Sequence, residues 1–243
     1  MKLENKCAVI AGGGSGMGLA TARALADEGC RVLIAGRSQE RLDEALASAN
    51  DSGRMFAQQV DVADRESVTQ LFARADEVLG QVDILVNSAG INVPDRSMEK
   101  LSPENWDDVL QVNATGNYNL MHAVLPAMRA RGDGLIVNIS SIAGLRGDLR
   151  GGVAYAAAKF AQAGLGMTVG AEVAADRVRV TNIYPGETNT PILDKRPVPV
   201  SDEHRASILQ SEDVAAAVLM VTLLPPRARV PELTITPTCQ PFV

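Results

Sequence analysis

Cysteine is scarce: Cys7, Cys30 and Cys239 are the only three in 243 residues. An odd, scattered set without metal-ligand spacing excludes a disulfide framework and a structural zinc site, and no metal is expected. Cys7 and Cys30 fall in or beside apolar strands and read as small core residues. Aromatic side chains make up only 3% of the chain against 46% hydrophobic residues overall, so Ala, Val, Leu and Ile must build the core. Positive charge is also short. Lys and Arg number 23 against 29 Asp and Glu, a formal net charge of −6 that argues against a broad nucleic-acid footprint. No apolar run approaches the roughly 18 residues of a membrane span, and the amino terminus has no signal-peptide pattern. These absences lead to the expectation of a cytoplasmic protein in a reducing compartment, with neither membrane nor nucleic acid as partner.

What is present is a repeated strand–helix alternation without internal linkers. Strands are predicted at 6–11, 31–35, 54–60, 83–86, 135–139, 178–183 and 233–236. The intervening helices carry apolar residues at i, i+3, i+4 and i+7, as in Leu42, Ala45, Leu46 and Ala49 after a Ser38 cap. A second helix carries Val68, Leu71, Phe72, Ala75 and Leu79 and stops at Gly80, and Ser102-Pro103 opens another with a cap followed by proline at the first helical position. Parallel strands require such crossovers. The expected fold is α/β: one domain over residues 1–243, a doubly wound parallel sheet of about seven strands flanked by helices. In such sheets ligands collect at the carboxyl ends of the strands, where the strand order reverses.

Two local patterns carry chemistry. Tyr155 and Lys159 are four apart on a predicted helix, hence on one face, and an ammonium beside a phenol is expected to pull the tyrosine pKa down toward working pH. The plainer reading of such a pair is a solvated helix face. The second pattern, Val9-Ile10-Ala11-Gly12-Gly13-Gly14-Ser15-Gly16-Met17-Gly18, lies between a strand and a run of helix formers. Glycines there permit a tight turn and a close approach to a pyrophosphate, which the free N–H groups of the helix terminus can bind.

The Gly12, Gly16, Gly18 spacing together with Tyr-x-x-x-Lys resembles the short-chain dehydrogenase/reductase family, whose fold is a Rossmann fold. The resemblance extends to Asn87-Ser88-Ala89-Gly90 after the fourth strand, Asn113 in Val112-Asn113-Ala114-Thr115-Gly116, Ser141 three residues before Gly144, and Pro185-Gly186-Glu187-Thr188-Asn189-Thr190 after the sixth strand. It implies a catalytic set of Ser141, Tyr155, Lys159 and Asn113. Tyr155 would exchange the proton, Ser141 would hydrogen-bond the reacting oxygen, and Lys159 would also bind the nicotinamide ribose. Asn113 would mark a helical irregularity on a proton relay, or else be a core asparagine bonding nearby backbone. The resemblance further implies cofactor contacts from Gly12, Ser15, Gly16, Met17, Gly18, Asn87, Ala89, Gly90, Pro185, Gly186, Thr188 and Thr190, with Asp61-Val62 at the adenine. Three departures stand out. Ala11 replaces a threonine before Gly12, the segment between Gly144 and Tyr155 is about one residue longer, and residues 229–243 lack the family's glycine-rich ending.

An acidic residue at the end of the second strand would select NAD; here Gly36 is followed by Arg37, which can hold a 2′-phosphate, so NADP(H) is expected over NAD(H). The activity implied is interconversion of a ketone or aldehyde and an alcohol by hydride transfer. The alternative is a 3-oxoacyl-carrier-protein or 3-oxoacyl-CoA reductase. A non-enzymatic NADP-binding sensor would be expected to have lost part of the serine–tyrosine–lysine set, which this chain retains. Residues 191–210 are expected to form a lid over a small-molecule substrate, with Lys195, Arg196 and His204 either meeting an anionic substrate or, the preferred reading, standing as solvated lid residues. Small residues on the Tyr155 helix (Ala157, Ala161, Gly164) suit a homo-oligomer, a dimer or tetramer.

Overall fold

A computed structural model describes residues 1–49 and 53–240. The carboxyl-terminal Pro241, Phe242 and Val243 lie outside the described residues. Seven strands form one sheet: β1 (Cys7–Ala11), β2 (Arg31–Gly36), β3 (Met55–Gln59), β4 (Ile84–Asn87), β5 (Gly134–Ile139), β6 (Val178–Pro185) and β7 (Glu232–Ile235). Their order is β3-β2-β1-β4-β5-β6-β7, and every pairing is parallel. The order reverses between β1 and β4, which opens a crevice at their carboxyl ends.

Both faces of the sheet are covered, so strand residues alternate between two cores. Ala8, Ile10, Val32, Ile34, Val86 and Val137 pack with α1 (Gly16–Asp27), α2 (Gln39–Ala47) and α8 (Ser211–Thr222). Val9, Ala11, Leu33, Leu85 and Ile136 face the other way, toward α3 (Arg65–Leu79), α5 (Gly116–Arg131) and α6 (Val153–Glu172). The predicted caps are in place. Ser38 Oγ accepts from Arg41 N at 3.3 Å, Ser102 Oγ from Asn105 N at 3.2 Å, and Gly80 ends α3 with φ of 83°. Cys7 and Cys30 are buried and unpaired, as core residues should be.

Two boundaries differ from expectation. α1 begins at Gly16 rather than at the helix formers from Leu19, because its first turn is set by contact: a Cβ on Gly18 would lie 2.2 Å from Gly12 O. β6 runs on to Pro185 because β7 continues beside it, Pro185 opposite Ile235. The long helix through Asn113 is a composite. α4 (Pro103–Leu110) passes through a π-helical turn at Gln111–Thr115 directly into α5. Among the described residues no helix is long and apolar enough to cross a membrane.

Candidate functional site

The glycine loop after β1 is held open for a ligand by its own backbone. Gly12 N and Gly13 N both donate to Ala35 O, which pins the loop to the end of β2. Gly12 has φ of 81°, and a Cβ there would come within 2.7 Å of the Ser88 and Ala89 backbone, so only glycine lets the β1 and β4 loops meet. Ser15 precedes α1 without capping it by its side chain, which leaves the first-turn N–H groups facing the crevice.

From this loop a cleft of about 450 Å³ runs across the carboxyl ends of the strands. One end is bounded by Arg37 and Arg41, the middle by Gly12, Ser15, Gly16, Met17, Ala89 and Gly90, and the far end by Tyr155, Lys159 and Thr190. Arg41 was not anticipated from the sequence. It lies on the exposed side of α2, against which the glycine loop packs: a Cβ on Gly14 would meet Arg41 Cβ at 3.6 Å. Among the described residues neither guanidinium has an ion-pair partner.

Other expected cofactor residues lie outside this cleft. Gly18 closes the loop against Gly12. Asp61 sits exposed after β3, accepting from Ala63 N at 3.0 Å, while Val62 is buried against Gly116. Asn87 is buried within the sheet and donates to Asn117 Oδ1 at 2.6 Å and to Asn138 Oδ1 at 2.8 Å. Pro185, Gly186 and Thr188 line the adjoining substrate-side cavity, with Thr188 donating to Gly186 O.

At the far end, the 20-residue α6 carries Tyr155 and Lys159 on one face, and β5 delivers Ser140 and Ser141. Ser141 caps the 3-10 turn Ile142–Gly144, accepting from Ala143 N at 3.1 Å, and shares a cavity wall with Tyr155, whose pKa it acts to lower. Ser140 turns away and donates to Lys159 O. The helix can approach this closely because Gly144 has no side chain; a Cβ there would sit 2.7 Å from Lys159 O.

The electrostatics depart from the expected pairing. Tyr155 edges the cleft, and desolvation holds its pKa up to about 12 against the lowering influence of Ser141 and Arg96. Lys159 is buried and pushed down to about 7 by desolvation. Its Nζ donates to Ile139 O at 3.2 Å and to Gln162 Oε1 at 2.9 Å, and lies 5.6 Å from the centre of the tyrosine ring. The ammonium therefore sits over the ring rather than beside the hydroxyl, and does not pull the phenol down. Tyr155 is kept a neutral phenol, which is the form that gives a proton. Gln162, one turn on from Lys159 and 1% exposed, is a further participant that no motif flagged.

Asn113 falls within the π-helical turn. Its Oδ1 accepts from Ile91 N at 2.8 Å and its Nδ2 donates to Ile91 O at 2.9 Å, so both halves of the amide are satisfied by backbone. A Cβ on Gly90 would have Asn113 Oδ1 at 3.4 Å and Lys159 Nζ at 3.9 Å, which puts asparagine and lysine on either side of Gly90. The irregular helix and the backbone-bonded amide, the two readings of this residue, are both present.

Beside Tyr155 opens a second cavity of about 100 Å³, shared by Ser141, Arg96, Arg150, Glu187 and Arg196. Arg196 is half-buried rather than solvated, whereas His204 is exposed as expected, and both contact Glu187. Arg196 Nη1 pairs with Glu187 Oε1 at 2.8 Å and His204 Nε2 lies 2.9 Å from the same oxygen. The segment 191–210 folds as a 3-10 turn (Pro191–Lys195) and the short α7 (Asp202–Ser207); Ile192 and Lys195 face the long cleft, Leu193 and Arg196 the cavity.

Comparison with known proteins agrees with this arrangement. A family model described as short chain dehydrogenase matches residues 6–198. A 3-oxoacyl-[acyl-carrier-protein] reductase of Thermotoga maritima is 35% identical over 198 residues, 81% of this chain and 80% of that one. Among solved structures, the closed form of a serine dehydrogenase complexed with NADP+ superposes with a TM-score of 0.87 at 30% identity, covering 97% of this chain and 96% of that one. A 3-ketoacyl-(acyl-carrier-protein) reductase from Brucella melitensis complexed with NADH gives a TM-score of 0.87 at 26% identity, covering 97% and 98%.

Proposed function

This chain belongs to the short-chain dehydrogenase family, and from that premise we propose that it is an NADP(H)-dependent oxidoreductase interconverting a ketone or aldehyde with the corresponding alcohol. The observation that carries the proposal is the continuous cleft with Arg37 and Arg41, neither in an ion pair among the described residues, at one end and a neutral tyrosine beside the serine at the other. The donors fit a dinucleotide. The α1 terminus and glycine loop offer N–H groups to a pyrophosphate, and Arg37 with Arg41 offers a doubly cationic seat for a 2′-phosphate. The NADP+ bound by the serine dehydrogenase neighbour supports the same choice, whereas the NADH of the ketoacyl reductase neighbour makes the preference a matter for measurement.

When bound, the nicotinamide supplies or takes the hydride. The chain's own residues manage the proton. In reduction Tyr155 donates to the carbonyl oxygen, and Ser141 hydrogen-bonds that oxygen most strongly as negative charge develops on it. Lys159, near half-protonated at neutral pH, binds the ribose hydroxyls and restores the tyrosine's proton. Asn113 holds the loop at Ile91 beside the lysine, and the π-helical turn that carries it would serve a solvent relay to that lysine. Residues 191–210 form the lid. Exposed Phe160 and Met167 around Gly164 on α6, with Tyr118 on α5, support a homo-oligomer assembled through that face.

The test is cofactor binding followed by fluorescence, with turnover on a carbonyl panel. Wild type is expected to bind NADPH more tightly than NADH, and Arg37→Ala to erase most of the difference. Tyr155→Phe is expected to bind cofactor but lose roughly 100-fold or more in turnover. Equal affinity for both cofactors in wild type would refute the NADP assignment. The second reading is a 3-oxoacyl-carrier-protein or 3-oxoacyl-CoA reductase, favoured by the Thermotoga maritima relative. It requires 3-oxoacyl thioesters to be the best substrates in the same panel.

A further inference from the structure

The cavity beside Tyr155 holds more positive charge than its surroundings neutralise. Arg96, on the loop after β4, is 9% exposed. Its Nε donates to Val93 O at 2.9 Å, Nη1 to Arg150 O at 2.8 Å and Nη2 to Lys195 O at 2.6 Å. All three acceptors are neutral carbonyls, and among the described residues no carboxylate lies within ion-pair distance of this guanidinium. A buried cation without a counter-ion is costly. Its position is nevertheless built in. Gly152 has φ of 79°, and a Cβ there would lie 2.5 Å from Arg96 Cβ, so the longer segment before α6 closes directly onto the arginine.

A second guanidinium, Arg196, lines the same cavity; burial, and then its repulsion, lower the Arg96 pKa. Arg196 is itself engaged by Glu187, which also receives Arg150 Nη1 at 3.3 Å. Arg150 in turn pairs with Asp148 at 3.2 Å. Two guanidiniums therefore share two carboxylates, and Arg96 stands as a third without one, around a cavity that reaches Ser141 and Tyr155. Each terminal nitrogen of Arg96 has one acceptor for its two hydrogens, so each retains a hydrogen for a further acceptor such as a carboxylate.

Building on the oxidoreductase reading above, we propose that this cavity recognises a small oxo or hydroxy acid, its carboxylate held by Arg96 and Arg196 and its carbonyl or hydroxyl turned to Ser141 and Tyr155. The charge count favours one negative charge. A dianion such as a phosphate ester would set its second charge against Glu187, 6% exposed and without water to screen it. A neutral thioester or ketone would leave the Arg96 charge as uncompensated as before.

The experiment follows NADPH oxidation with acetoacetate against methyl acetoacetate and pyruvate against methyl pyruvate, in wild type, Arg196→Met and Arg96→Lys. Within each pair a carboxylate is exchanged for its uncharged methyl ester, and the two pairs place the carbonyl at two distances from that group. Wild type is expected to show kcat/KM at least about 10-fold higher for the acid of one pair, and Arg196→Met to cut that acid-to-ester ratio by about 10-fold. Arg96→Lys keeps the charge but not the fork, and should lower the ratio while the protein still folds. Esters turned over as well as their acids in both pairs, or a ratio unchanged in Arg196→Met, overturn the assignment and leave the oxidoreductase reading standing. No oxidation of NADPH by either pair or by a wider ketone and aldehyde panel overturns the oxidoreductase reading itself, and the acid-binding assignment with it.

Discussion

Burial of Lys159 makes a thermodynamic prediction independent of any substrate. The ammonium is 3% exposed, and desolvation brings its pKa from the ordinary 10.5 down to about 7. A cation with a depressed folded-state pKa leaves the unfolded chain binding more protons between pH 7 and 10.5, so stability must rise with pH across that window. Below pH 7 both states are protonated and the group costs the fold about 4–5 kcal/mol; by pH 9 the cost falls to about 2 kcal/mol. Lys159→Met abolishes this titration. It also strands Ile139 O and Gln162 Oε1, a penalty of roughly 1–3 kcal/mol each that does not depend on pH. The absolute stability of the variant therefore mixes two effects of opposite sign, but their pH dependence separates them. Urea unfolding of both proteins without cofactor, followed by far-ultraviolet circular dichroism at pH 6, 7.5 and 9, should show wild type gaining about 2.5 kcal/mol on Lys159→Met between the extremes. Stability curves that stay parallel within about 0.5 kcal/mol would refute a desolvated lysine at this position.

Two further perturbations test how the site is held. Gly166→Ala places a methyl where a Cβ would lie 2.1 Å from Asn182 Oδ1 and 2.7 Å from Asn138 Nδ2, within a buried amide ladder whose Asn138–Asn182 hydrogen bond is 2.9 Å. Overpacking and a broken buried bond together should cost about 3 kcal/mol or more, read as a fall in the urea midpoint; a midpoint within error of wild type contradicts the packing described. Gln162→Leu removes the only side-chain partner of the Lys159 ammonium, so the protonated form loses support and the lysine pKa should fall further. The alkaline side of the turnover pH profile should move to lower pH, and Gln162→Glu should move it the other way. Identical profiles in all three proteins would leave Gln162 a packing residue.

Much of this protein was legible along the chain because its signals are local. Strand and helix periods, the Ser38 and Ser102 caps, the Gly80 stop and the strand–loop–helix setting of Gly12 to Gly18 depend on neighbours a few residues away. The structure reproduces them, together with the all-parallel sheet that such alternation demands. The family motifs likewise pointed to Ser141, Tyr155 and Lys159, which α6 and β5 bring to one end of the cleft.

Other features are set by contacts between distant segments, and no sequence window contains them. Arg41 joins the cleft because the glycine loop packs against α2. Arg96 faces Arg150 and Lys195 across 54 and 99 residues, and Glu187 gathers arginines from two loops. The titration of the central pair belongs to the same class. Spacing on a helix put Lys159 beside Tyr155, and from that alone a lowered tyrosine followed. The surrounding core decided otherwise, because desolvation acts through everything packed about a charge, and it lowers the lysine while raising the phenol. Residue order thus determined which groups share a helix face and a fold. Tertiary packing decided which of them are charged, which are paired, and which arginine lacks a partner.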